Sequence, residues 1–215
     1  MRFILGSGSP ARLVTLQAAG LAPEVVVPGI DEDAIRADSV RELVELLAEA
    51  KARAVLGMLH TTEPALVLAC DSLLELEGVA LGKPDDAGVA RKRWQAMRGR
   101  RGTLHTGHCL VRLPDGETRT AVASTLVSFS NITDAEIDAY IATGEPMAVA
   151  GGFTIDGLGG AFVEAVAGDP HNVIGVSLPL LRALCLDLGV TWTDLWVLGE
   201  PEADAPLPGP SERHE

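Results

Sequence analysis

The chain has 215 residues, 47% of them hydrophobic, which is enough apolar side chain for one sizeable core in one domain or two lobes. A formal net charge of −13 argues against a nucleic-acid surface, and no apolar run approaches the roughly 18 residues of a membrane-spanning helix. Cys70, Cys109 and Cys185 lie far apart without metal-ligand spacing and read as buried thiols of a reducing cytoplasm, and the start, MRFILGSGSP, is too short in apolar residues for a signal peptide.

Arg2–Leu5 reads as a strand, Gly6-Ser7-Gly8-Ser9 as a loop, and Pro10 as the first turn of a helix that stops at Gly20. Strand, Gly/Ser loop and helix start are either an ordinary turn or, in outline, a phosphate cradle built on Ser7, Gly8 and Ser9, with Arg12 one turn in as a cation for the same anion. The glycine spacing fits neither a P-loop nor a dinucleotide fingerprint. Glu24–Val27 reads as a second strand. Glu32 lies in an acidic loop, Ile30–Asp33, that is either a solvated charge run or the source of a metal-binding carboxylate. Ser39 to Glu42 has the form of a capping box, opening a long helix with apolar residues at Val40, Leu43, Val44, Leu47, Ala48 and Val55. Lys51 falls on that apolar stripe, where a lysine must snorkel past the core or meet an anion.

Ala65–Cys70 is apolar enough for a strand buried on both faces, and it is expected to end on Asp71. A carboxylate at such a strand end either caps a turn or faces a ligand. Ser72 follows, then a Glu77-Gly78 turn that brings Lys83 back toward Asp71. Asp85 or Asp86 caps a helix with its apolar stripe at Ala90, Trp94 and Met97, and Arg98–Gly102 forms a basic turn. His105–Leu113 and Thr118–Ser130 read as a hairpin across Pro114-Asp115-Gly116, with His105 and His108 structural. Thr133 opens a helix through Tyr140 that stops at Gly144. Strand pieces Phe153–Ile155 and Ala161–Val166 are expected to flank a turn at Asp156–Gly160, followed by a loop from Asp169 to Ser177 and a last helix, Pro179–Leu188. Residues 199–215, acidic and Pro-rich, are expected to form a disordered tail, leaving 1–198 as the folded unit.

Strand and helix signals alternate in the first half and yield to hairpins in the second. They predict an α/β fold with a mixed, twisted sheet flanked by helices, in two lobes around a central cleft. Ser7–Ser9, Arg12, Lys51, Asp71 and Lys83 would point into that cleft. Several cations, a nest of N–H groups and a carboxylate able to hold Mg²⁺ make a polyphosphate site. Aspartate, in place of a serine or cysteine nucleophile, indicates attack by water.

These residues resemble the Maf family of nucleoside triphosphate pyrophosphatases. The segment Ser7-Gly8-Ser9-Pro10-Ala11-Arg12 is similar to the family's S-x-S-P-R-R, Lys51-Ala52 to its helix K-A, and Cys70-Asp71-Ser72 to its A-D-T/S. Leu81-Gly82-Lys83-Pro84, Thr143-Gly144-Glu145-Pro146 with Ala150-Gly151-Gly152-Phe153, and Gly168-Asp169-Pro170-His171-Asn172-Val173 with Leu178-Pro179-Leu180 continue the match in order, from about residue 3 to about residue 188. The resemblance implies hydrolysis of a nucleoside triphosphate to monophosphate and pyrophosphate in the cytoplasm by a homodimer with a divalent metal, Mg²⁺ or Mn²⁺. Asp71 would be proton acceptor and metal ligand, Lys51 and Lys83 its catalytic partners, and Glu32 a second metal ligand. Ser7, Gly8, Ser9, Arg12, Ser72 and Asp156 would face the substrate. Ala11 replaces the first of the family's paired arginines, and Asp156 stands where pyrimidine-type members carry glutamine, so base preference does not carry over. The alternatives are a nucleotide-binding regulator of septum formation with vestigial catalysis, and a pyrophosphatase for inosine or xanthosine triphosphate.

Overall fold

The computed structural model describes residues 1–60 and 63–197; the expected tail at 199–215 lies outside them. Among the described residues, one mixed sheet contains β1 (Arg2–Gly6), β2 (Pro23–Val25), β3 (Ala65–Leu76), β4 (Val79–Leu81), β5 (Arg101–Leu113), β6 (Glu117–Phe129) and β7 (Val163–Ala167). The order is β2-β1-β3-β5-β6-β7, with β4 also paired to β3. β2, β1 and β3 run parallel, while β4, β5, β6 and β7 pair antiparallel to their neighbours. The helices are α1 (Pro10–Ala18), α2 (Val40–Met58), α3 (Ala87–Met97), α4 (Asp134–Ala142), α5 (Pro170–Ile174) and α6 (Leu178–Asp187). None is long and apolar enough, among the described residues, to cross a membrane.

Side-chain alternation along β3 builds two cores at once. Leu66, Leu68 and Cys70 pack with Phe3 and Leu5 of β1, Leu16 of α1 and Leu181 and Leu184 of α6. Ala65, Val67 and Ala69 face the other way, onto Ala48, Ala52 and Val55 of α2. The α2 face is lined with small residues, so the helix lies close. A Cβ on Gly107 of β5 would overlap the Val44 carbonyl oxygen, 2.5 Å from its carbon and 2.9 Å from Glu45 N. A third core gathers Trp94, Met97, Phe129, Ile137, Tyr140 and Phe153 around Leu74 and Leu76. Its rings meet edge to face, Trp94 at 5.8 Å from Phe129 and 5.5 Å from Tyr140, and the Trp94 indole donates to Gly152 O at 2.8 Å.

The caps follow the sequence closely. Asp86 caps α3, and Thr133 and Glu136 close both arms of a capping box on α4. At α2 only one arm forms as expected: Ser39 accepts from Glu42 N, but the Glu42 carboxylate reaches one residue further back, to Asp38 N. His105 and His108 are structural, as read. The buried His108 accepts the Ser177 N–H on Nε2 at 2.8 Å, so its Nδ1 must carry the proton it gives to Thr106 O.

Four expectations are corrected. β3 does not end at Asp71 but runs on to Leu76, because β5 pairs with it as far as Glu75. The second strand is shorter and earlier than Glu24–Val27, since its pairing with β1 stops at Val25. Phe153–Ile155 is not a strand: Gly151 and Gly152, at φ 72° and 71°, lead the chain off the sheet, and a 3₁₀ turn at Leu158–Phe162 delays β7 to Val163. Within the expected loop after Asp169, α5 forms, because Asp169 caps it through His171 N and Pro170 occupies the first helical position.

Candidate active site

β3 changes partners along one edge. Pairing with β1 stops at Ala69, opposite Gly6, and pairing with β4 begins at Leu74, opposite Leu81. Residues 70–73 therefore face an opening flanked by the Ser7–Ser9 loop that leaves β1 and by Gly82-Lys83 that leave β4. A cavity of about 470 Å³ occupies this opening, lined by Ser7, Gly8, Ser9, Arg12, Glu32, Lys51, Asp71, Ser72, Lys83 and Asp156, among others. The predicted site residues, drawn from six separate segments, thus share one cavity.

Asp71 and Ser72 are consecutive, so they leave β3 toward opposite faces. Asp71, on the α2 side and only 10% exposed in its side chain, meets Lys51: Nζ lies 2.5 Å from Oδ1 and 2.8 Å from Glu32 Oε1. Burial lifts the Asp71 carboxyl above its ordinary pKa, while Lys51 and Arg12 pull the other way. An aspartate so raised is a better proton acceptor than one in water. Lys51 neither snorkels nor stands alone; two of its three N–H donors serve the carboxylates.

Ser72, on the α1 side, is held by Arg12. The buried guanidinium donates from Nη2 to Ser72 Oγ at 2.8 Å, from Nη1 to Ser7 Oγ at 2.9 Å and from Nε to Gly175 O at 2.7 Å. All three partners are neutral, so the cation's charge is left for the cavity, and two of its five N–H donors remain for an anion. Ser9 caps α1, and its loop and the first turn of the helix line the cavity at the positive end of the helix dipole. Lys83 adds a second cation to this side and is exposed. Gly8 lines the cavity too, and a Cβ there would meet only Val27, at 3.5 Å.

Sequence reasoning missed the support behind Ser72. Its hydroxyl also bonds Thr106 Oγ1 at 2.9 Å, and Thr106 donates to Asn172 O at 3.2 Å. The Asn172 amide in turn donates to Leu104 O and to Thr125 Oγ1. Such a relay leaves no local pattern in the chain; only Asn172 belongs to a segment already singled out. Leu73, Val149, Phe153 and Ile155 give the lining an apolar share, and Asp156, also in the lining, is exposed.

Fold and site together place Arg12, Lys51 and Lys83, the start of α1 and a buried carboxylate around one cavity. The Maf-like protein family profile matches residues 2–188, and the chain belongs to that family. It is 51% identical to a nucleoside triphosphate pyrophosphatase of Salinispora tropica, over 98% of this chain and 93% of that one. It is 54% identical to a protein of the same name from Streptomyces coelicolor, over 93% of this chain and 96% of that one. A third protein of that name, from Thermosynechococcus vestitus, is 50% identical over 90% and 96% of the two chains.

Proposed function

We propose that this protein hydrolyses a nucleoside triphosphate to the monophosphate and pyrophosphate. The observation that carries the reading is the pairing of Asp71 with Lys51 in the cavity that also holds the Arg12 guanidinium. A binding protein needs the cations but not a buried carboxylate beside them. The names of relatives at about half identity support the same reaction.

In the proposed step, water attacks a phosphorus of the α–β anhydride: a P–O bond to water forms, the bridging P–O bond breaks, and pyrophosphate leaves. Asp71 takes the proton from the attacking water, and Lys51 holds its carboxylate in place. Arg12 and Lys83 stabilise the charge that grows on the phosphate oxygens, the electrostatic contribution that dominates phosphoryl transfer. Ser72, braced by Thr106, fixes the plane of Arg12.

A divalent cation fits the residues present. Among the described residues no group of three or more His, Cys, Asp or Glu surrounds a metal position, but Asp71 and Glu32 converge on the single Lys51 ammonium. Mg²⁺ or Mn²⁺ is commonly held by one or two carboxylates plus substrate phosphates, and Asp71 and Glu32 would hold it here. Bound there, it would supply charge neutralisation of the phosphates and acidify water. The three cysteines are unpaired and buried, the state a reducing cytoplasm maintains. The homodimer rests on the family resemblance and is checked by light scattering.

Pyrophosphate release from a panel of ribo- and deoxynucleoside triphosphates, ITP and XTP included, with Mg²⁺ or Mn²⁺, tests the reaction. Asp71→Asn is expected to lower kcat by roughly 10²–10⁴-fold, the usual contribution of a general base, while nucleotide binding persists. Unchanged turnover in that variant removes Asp71 from the mechanism.

A further inference from the structure

One wall of the cavity, residues 148–156, is a stretch without strand pairing, and a carboxylate outside the cavity holds its shape. Glu145 Oε1 accepts from Tyr140 OH at 2.8 Å, Thr154 Oγ1 at 2.5 Å and Gly159 N at 2.9 Å, and its Oε2 accepts from Leu158 N at 3.0 Å. The loop closes so tightly on these groups that side chains are excluded from it. A Cβ on Gly157 would lie 2.6 Å from Glu145 Oε2, and one on Gly159 would overlap the Tyr140 hydroxyl and lie 2.9 Å from Thr154 N. The glycine-rich run Asp156-Gly157-Leu158-Gly159-Gly160 is thus the imprint of a half-buried knot. Burial pushes the Glu145 carboxyl up, but the four donors outweigh it and hold its pKa at about 2, so the knot stays charged at neutral pH.

Of the cavity-lining residues, Ala148, Val149, Ala150, Phe153, Thr154, Ile155 and Asp156 lie along the chain between Glu145 and the Leu158 and Gly159 amides that bond it. We propose that Glu145 is a positioning residue that keeps this wall preformed for the nucleotide, so that substrate affinity depends on it and the chemical step does not. Without the knot, this wall must be ordered at the expense of binding. Lys51, Asp71, Arg12 and Ser72 hold one another through separate contacts, so the reacting groups keep their places. The inference rests on the nucleotide reading given above.

The test uses the full chain with Glu145→Gln, whose amide cannot accept on both heteroatoms, and Tyr140→Phe, which removes one donor of four. KM for the preferred substrate, and Kd for α,β-methylene GTP and α,β-methylene UTP, are expected to rise about tenfold or more in Glu145→Gln and less in Tyr140→Phe. The value of kcat should stay within about threefold of the parent. Amide exchange at Leu158 and Gly159 should accelerate in Glu145→Gln. Unchanged KM and Kd overturn the proposal whether or not exchange accelerates, as does a kcat that falls as far as kcat/KM. If the parent releases no pyrophosphate from any nucleotide, the hydrolytic reading fails, and the analogue affinities still decide the role of Glu145. A parent that neither releases pyrophosphate nor binds either analogue overturns both, and where it releases pyrophosphate, KM decides the role of Glu145.

Discussion

Replacing Gly107 by alanine tests whether the closeness of α2 to the sheet sets the active geometry. Gly107 pairs with Asp71 across β5 and β3, and its Cα faces the backbone of α2 at Val44. An added methyl would stand 2.5 Å from the Val44 carbonyl carbon, where ordinary contact begins near 3.4 Å. Backbone cannot rotate aside, so α2 must retreat by about 1 Å, an overpacking that costs about 1–3 kcal/mol. For a chain of this size that lowers Tm by roughly 2–12 °C. Lys51 is seven residues, about two turns, beyond Val44 on the same rigid helix. Its retreat opens the 2.5 Å contact with Asp71, and a displacement of about 1 Å at a reacting group lowers turnover by roughly 10²-fold. Pyrophosphate release and thermal unfolding, measured on one preparation, give both numbers. A Gly107→Ala protein with parental Tm and parental kcat would refute the reasoning, because it would mean that α2 does not fix Lys51.

Two further outcomes concern pH. Burial holds His108 neutral, with a folded pKa of about 4 against an ordinary 6.5, so its contribution to stability is full above 6.5 and is lost as pH falls toward 4. Between pH 7.5 and 5 that loss is about 2 kcal/mol in urea unfolding, and His108→Leu should lack it while being less stable at pH 7.5, where it orphans the Ser177 N–H. Equal pH dependence in the two proteins would contradict the assignment. For activity, the raised pKa of Asp71 places the acid limb of kcat/KM above the ordinary aspartate value, since the base works only when ionised. A limb at or below that value would remove Asp71 as the group titrated.

Much of this was legible because the chain repeats one message at several levels. The apolar run Ala65–Cys70, the helix start at Pro10, the caps at Asp86 and Thr133, and the stripe of Ala90, Trp94 and Met97 each have a local physical cause and each formed. Of the two fates open to a lysine on an apolar stripe, snorkelling or meeting an anion, Lys51 has the second, with Asp71 and Glu32. What was not legible depended on distant partners. Asp71 reads as a strand end because aspartate disfavours strands, yet the ladder with β5 and the Lys51 ammonium hold it inside one. Phe153–Ile155 has strand composition but no sheet edge to join. The bond from Thr106 to Asn172 spans 66 residues and has no counterpart in spacing. Glu145 stood in a recognised segment, but its role appears only when the glycines around it are seen to be its negative.

The interrupted edge of β3 has a consequence for how one small molecule is addressed. In an unbroken sheet, neighbouring side chains live on opposite sides of a wall, and no ligand can greet both. Here the wall has a notch four residues wide, so Asp71 and Ser72, with everything each has recruited behind it, become two jaws of one grip. Lengthening β1 by a few paired residues would brick up the notch and leave each jaw facing a different room.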